Sequence, residues 1–283
     1  MSSSASPRGI AAIVGVGPRL GCSVARKFAH EGYSVAILAR DLGKRAFLLS
    51  SARPCASPSS SSLSAGKLSW LADEIAREAK AQVFAIRIDC ADPKSVREAF
   101  EGVLSLGSVE VLAYTACEAP HATCQPTRFT DVAVESFVRS LAESAVGAFH
   151  CAQQVSVHQQ LIHASTSIMH GKVIPGMLER GRGTIIFTGS SASIRGFAGY
   201  CELSCGKFAL RGLAQCLARE FQSSGIHIAH VIIDGVVGAP RIHGSSKGGQ
   251  ETASLDPDAV AQTYWHIHVQ EKGAWAQEMD LRA

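Results

Sequence analysis

The most informative run of residues is Gly15-Val-Gly17-Pro-Arg19-Leu20-Gly21, which follows the apolar segment Ile10–Val14 directly. Glycines at these spacings let a backbone turn tightly, approach a pyrophosphate and pack a helix against a strand, while the helix N-terminus offers N–H groups to the phosphates. A lone glycine triplet says little, but one set between a first strand and a first helix points to dinucleotide binding. Arg40 lies 19 residues beyond Gly21, where such a fold reads the adenosine ribose. A carboxylate there would take the 2′-hydroxyl of NAD; an arginine suits the 2′-phosphate of NADP. Arg19 is expected to reach the same phosphate, and Asp41 keeps NAD as the alternative. Asp89, at the end of a third apolar run, is placed to accept from the adenine amino group.

Other chemistry-bearing pairs carry less. His266 and His268 resemble a metal pair, but no third ligand is near in sequence, so surface or packed histidines are expected. Cys201 and Cys205 are one helical turn apart and read as small core residues rather than a redox pair.

The elements that must position the glycine loop follow from periodicity. Short apolar runs alternate with amphipathic stretches, the pattern of βα units around a parallel sheet. Strands are expected at Ile10–Val14, Ser34–Leu38, Val83–Ile88, Val109–Tyr114, Thr184–Thr188 and Ile226–Ile233. Helices are expected at about 20–31, 68–80, 93–105, 131–155 and 199–223. Asp92-Pro93 marks a helix start, and a last helix follows Asp256-Pro257. The fold class is therefore α/β, a Rossmann-type doubly wound parallel sheet.

Two stretches break the rhythm. Residues 46–67 are rich in serine, with Pro54 and Pro58, and residues 156–172 are rich in His, Gln and Ser. Both read as insertions; without them about 244 residues remain, the size of one α/β domain. We therefore expect one domain over residues 1–283.

Composition narrows the classes. Of 283 residues, 46% are hydrophobic, enough for a large core and too many for a disordered chain. Lys and Arg number 27 against 24 Asp and Glu, a net charge of +3 that gives no basic face for nucleic acid. The longest stretch without Asp, Glu, Lys or Arg, 144–171, carries three histidines and four glutamines before His170 and so is too polar for a membrane span. Nine cysteines without a C-x-x-C pair suit free thiols in a reducing, cytoplasmic compartment, with a short mitochondrial presequence as the alternative.

Taken together, these residues resemble the short-chain dehydrogenases/reductases from Gly15 to about Gly235. The resemblance rests on the glycine loop, Asp89, Val111-Leu-Ala-Tyr-Thr-Ala-Cys117, Gly189-Ser190-Ser191-Ala-Ser, Lys207-Phe-Ala-Leu and Asp234-Gly235. It implies hydride transfer between a nicotinamide cofactor and a carbonyl or alcohol carbon of a small substrate. It also implies a cofactor set of Gly15, Gly17, Arg19, Leu20, Gly21, Arg40, Asp89, Cys90, Ala116 and Lys207. In the family a Tyr four residues before the Lys passes the proton, the Lys tunes that Tyr and holds the nicotinamide ribose, and a Ser binds the substrate oxygen.

Here Lys207 matches the Lys and Ser190 the Ser, but Leu203 occupies the Tyr position. Ser144 takes the place of the family Asn, Tyr114 and Thr115 replace two further asparagines, and Cys117 replaces a glycine facing the cofactor. Tyr200 is seven residues from Lys207, about 10.5 Å along a regular helix rather than about 6 Å, which argues against it as surrogate donor. Ser204 and Cys205 are weaker still, and Glu202 is expected to face solvent. Two readings stay open: an NADP-dependent oxidoreductase with altered proton transfer, or a nucleotide-binding pseudoenzyme serving as sensor or subunit. The resemblance further implies a homodimer or homotetramer through the helices at 131–155 and 199–223.

Overall fold

In the computed structural model, residues 8–40, 63–116, 126–153, 173–238 and 254–283 are described. The insertion expected at 156–172, Asp41 and Cys117 lie outside them.

In chain order the elements are β1 (Ile10–Val14), α1 (Leu20–His30), β2 (Ser34–Ala39), α2 (Leu63–Ala79), β3 (Val83–Arg87), α3 (Pro93–Leu106) and β4 (Val109–Tyr114). Then follow α4 (Val134–Leu141), a π-helical stretch (Ala142–Val146), α5 (Gly147–Gln153), α6 (Val173–Arg180) and β5 (Gly183–Ser190). The chain closes with α7 (Cys201–Phe221), β6 (Ile226–Asp234), β7 (Val236–Val237), β8 (Ser254–Leu255), α8 (Pro257–His268) and β9 (Glu278–Arg282).

Seven parallel strands form one sheet in the order β3-β2-β1-β4-β5-β6-β9. The pleat explains how one sheet supports two cores. Ile10, Ala12 and Val14 of β1 face a layer with Phe100, Cys151, Met177 and Leu210. Ala11 and Ile13 face the other layer, with Phe28, Ile75 and Tyr264. Strands covered on both faces are apolar throughout, which is why their sequences read as continuous runs.

All six expected strands are present, and the differences are local. The helix expected over 131–155 is three pieces, because the π stretch inserts an extra residue into its turn. Residues 63–67, assigned to the serine-rich insertion, form the first turn of α2. Helix α6 and strand β9 were not expected. In β9 Met279 and Leu281 alternate with the charged Glu278, Asp280 and Arg282, the pattern of a half-covered edge strand.

Chain order reverses between β1 and β4: the first three strands run outward on one side, and the chain then crosses back to β4. A crevice at the carboxyl ends of the strands at such a switch point is where open α/β sheets bind ligands. No helix among the described residues is long and apolar enough to cross a membrane.

Candidate active site

The glycine loop sits at that switch point. The backbone N–H groups of Gly15 and Val16 donate to the Leu38 carbonyl, at 2.8 and 3.1 Å, and so lay the loop over the end of β2. Gly15 has φ +85°, and a side chain there would overlap the Ala116 backbone. A Cβ on Gly21 would lie 2.7 Å from the Val16 Cα, whereas one on Gly17 would meet nothing within 4 Å. Two glycines are thus demanded by packing, and the middle one opens onto free space. Helix α1 has no side-chain cap and no acid in its first turn, so its positive end faces that space unneutralised. This arrangement fits a dinucleotide pyrophosphate.

Thr115 clamps the other side of the crevice. Its Oγ1 lies 2.9 Å from the Val14 carbonyl and 3.1 Å from that of Gly15, joining the end of β4 to the loop. Tyr114, fully buried, donates its hydroxyl to the Glu143 carbonyl in the π stretch. A π turn leaves such carbonyls without their usual helical donor, and Tyr114 supplies one. Burial pushes the Tyr114 hydroxyl well above its ordinary pKa and does the same to the Cys151 thiol. Cys90, also buried, is drawn the other way by its hydrogen bond with Cys151. Gly147 is needed where these groups meet, because a Cβ would stand 2.6 Å from both the Cys90 carbonyl and the Tyr114 hydroxyl.

Near the ends of β2 and β3 four charged side chains meet. Arg40 Nη1 donates to Glu143 Oε1, and Arg139 Nε reaches the same oxygen at 3.1 Å. Arg139 Nη2 lies 3.8 Å from Asp89 Oδ2, and the Glu143 side chain is only 3% exposed. Asp89 also accepts from the Ala91 backbone at 3.0 Å. Arg19 turns elsewhere: its Nη1 donates to the Val237 carbonyl at 3.2 Å. Arg19 and Arg40 were expected to converge on one phosphate; here each guanidinium has a protein partner of its own, Val237 for Arg19 and Glu143 for Arg40. Leu20 opens α1 and is half-buried against the layer of α1, α2 and α8.

At the end of β5, Ser190 caps a short turn. Its Oγ accepts from the Ala192 backbone at 3.3 Å, while Ser193 Oγ accepts from the Ser190 N–H at 3.2 Å. Lys207, buried on α7, donates to the Thr188 carbonyl at 2.9 Å. Ser190 and Lys207 thus meet the same strand end. Leu203 is half-buried one turn before Lys207, and Tyr200 is the non-helical residue preceding α7, with φ −130° and ψ 37°. Ser144 packs against Gly206, where a Cβ would stand 2.6 Å from its Oγ. Glu202 does not face solvent as expected: its Oε1 is shielded and has no hydrogen-bond partner among the described residues. Cys205 is exposed, contrary to the core position expected of it.

Sequence reasoning missed His230. It lies buried under Gly189, where any side chain would overlap its ring. Burial pulls its pKa down to about 4, against a partial offset from Glu278 at 3.3 Å. Of the His266/His268 pair, His266 is exposed and bonds Gln262, whereas His268 is half-buried. His268 bonds Tyr33 at 2.6 Å and Thr184 at 2.9 Å, and no metal-ligand cluster occurs among the described residues.

Residues 160–243 match the model of the short chain dehydrogenase family. That segment contains β5, Ser190, Lys207 and β6. A short-chain dehydrogenase from Rhodopseudomonas palustris shares the fold with a TM-score of 0.71 and 24% identity, over 98% of this chain and 100% of that one. An alcohol dehydrogenase from Thermococcus sibiricus, complexed with 5-hydroxy-NADP, gives 0.70 and 20% over 97% of each chain. L-Sorbose reductase from Gluconobacter frateurii, complexed with NADPH and L-sorbose, gives 0.71 and 17% over 96% of this chain and 94% of that one. Ser190 and Lys207 lie inside the segment that matches the short chain dehydrogenase model, and the chain shares the fold of these structures along nearly its whole length.

Proposed function

We propose that the chain is an NADP-dependent oxidoreductase acting on a small carbonyl or alcohol, and that it turns over slowly. The observation that carries this reading is the open Gly17 position over the uncapped end of α1, on the same sheet edge as Ser190 and Lys207. A bound nicotinamide dinucleotide would supply the hydride or accept it. Gly17 leaves room for the diphosphate, and the α1 terminus stabilises its charge. Arg40 serves the 2′-phosphate, since Ala39 beside it offers no carboxylate to a ribose hydroxyl. Two fold neighbours that carry NADP-type ligands in their own structures agree with this choice.

Ser190 accepts from Ala192 and keeps its own O–H to donate to the substrate oxygen. The Lys207 ammonium has three donors, of which one meets Thr188, so others remain for ribose hydroxyls. Leu203 carries no proton. Loss of a positioned general acid costs about 10²–10⁴ in rate, which leaves a slow enzyme rather than none. The cytoplasm, argued from the cysteine pattern, is the setting that goes with this reading.

The same Leu203 favours a second reading, a nucleotide-binding protein without redox turnover. NADPH consumption over a panel of aldehydes and ketones separates the two, with the native chain compared to Leu203→Tyr. The oxidoreductase reading expects weak native turnover that the variant raises at least tenfold. No turnover in either protein, with NADPH bound by both, favours the sensor or subunit.

A further inference from the structure

Glu143 occupies an unusual place for a carboxylate. Its side chain is almost wholly buried, yet it belongs to the π stretch rather than to a regular helical face. Two guanidiniums converge on a single oxygen, Arg40 from the end of β2 and Arg139 from one turn earlier on α4. Arg139 in turn approaches Asp89, beyond the end of β3. The set holds two positive and two negative side chains and is formally neutral. It lies where β2 and β3 end, beside the loop that Gly15 and Val16 tie to Leu38.

A 2′-phosphate arriving at Arg40 brings a charge near −2. It meets a guanidinium already compensated by a buried anion; Arg40 itself is 38% exposed, so solvent screens part of the repulsion between the two anions and the penalty is modest. A ribose 2′-hydroxyl brings no charge and suffers no such penalty. We propose that Glu143 is a specificity-determining residue that competes with the 2′-phosphate for Arg40 and so narrows the preference for NADP over NAD. The inference rests on the reading of Arg40 as the phosphate partner. Glu143 acts only through Arg40, and its effect is confined to nucleotides that carry the phosphate.

The test is calorimetric titration of NADPH, NADH and 2′,5′-ADP into the full chain, Glu143→Gln, Arg40→Ala and the double variant. Glutamine keeps the shape and an acceptor for Arg40 while removing the charge. Glu143→Gln is expected to bind NADPH and 2′,5′-ADP five- to tenfold more tightly and NADH within twofold of the native chain. That gain is expected to vanish in the Arg40→Ala background. Unchanged or weakened NADPH binding by a Glu143→Gln chain that still binds NADH overturns the proposal. If Arg40→Ala also leaves the NADPH to NADH ratio unchanged, the reading of Arg40 fails as well; if Arg40→Ala lowers that ratio, only the role of Glu143 fails. Should Glu143→Gln not fold, Glu143→Ala tests the same gain, with NADH binding as the control for folding.

Discussion

The Lys207 ammonium donates to the Thr188 carbonyl at 2.9 Å, so the lysine is fixed to strand β5 as well as to its own helix. On the opposite side of the backbone, the Thr188 hydroxyl lies 2.6 Å from the hydroxyl of Tyr264 on α8. Both faces of the sheet therefore brace the strand that carries Ser190. Tyr264 is buried, and its hydroxyl is pushed well above its usual pKa by that burial. Tyr264→Phe leaves a buried Thr188 hydroxyl without this partner and is expected to cost about 1–2 kcal/mol, read from the urea midpoint at constant m-value.

Two glycines of the loop, Gly17 and Gly21, should separate by experiment. A Cβ on Gly21 meets backbone at 2.7 Å, so Gly21→Ala is expected to destabilise the fold by about 1–3 kcal/mol. Gly17→Ala meets nothing and should leave the thermal midpoint unchanged while weakening dinucleotide binding at least tenfold. Melting curves and nucleotide titration on the two variants check this division.

Acid should weaken the protein through buried histidines. Burial lowers His230 and His268 to about 4 each, below the value near 6.5 of an unfolded chain. The unfolded state then binds more protons than the folded one between about pH 6.5 and pH 4. Stability is fully present above the unfolded pKa and falls as pH drops through this window. Denaturant midpoints measured from pH 8 to pH 4 should show a plateau and then a decline, shallower in His268→Gln. A midpoint independent of pH would contradict the neutral burial of both rings.

Association is the remaining expectation. On the helix expected at 131–155, the apolar residues Val138, Val146 and Phe149 are exposed, whereas Leu210 on α7 faces the sheet. Phe208 is also exposed on α7. We expect a weak dimer through these residues and tighter association when residues 156–172 are deleted. Light scattering on both proteins reads the outcome, and a stable tetramer of the full chain would show that 156–172 stays clear of the interface.

The sheet was legible because β1, β2, β4, β5 and β6 are buried on both faces and announce themselves as apolar runs, and the half-buried edge strand β3 still reads Val-Phe-Ala-Ile. β9 escaped notice because alternation over five residues, Glu278 to Arg282, resembles a charged tail. The glycine loop was legible for a different reason, since its backbone demands leave a mark on residue type. Glu143 could not be found in this way. It lies 103 residues from Arg40, and the π stretch shifts it off the face that regular helical spacing predicts. The shielding of Glu202 Oε1 was equally hidden, because periodicity on α7 says nothing about what packs over its first turn.

The central claim is that the crevice above Gly17 and Arg40 takes a 2′-phosphorylated nicotinamide dinucleotide. Isothermal titration of the native chain with NADPH and with NADH tests it most directly. The account predicts one site per chain that binds NADPH more tightly than NADH, by a margin that Glu143 keeps modest. Equal affinities, a preference for NADH, or no binding of either nucleotide would contradict it.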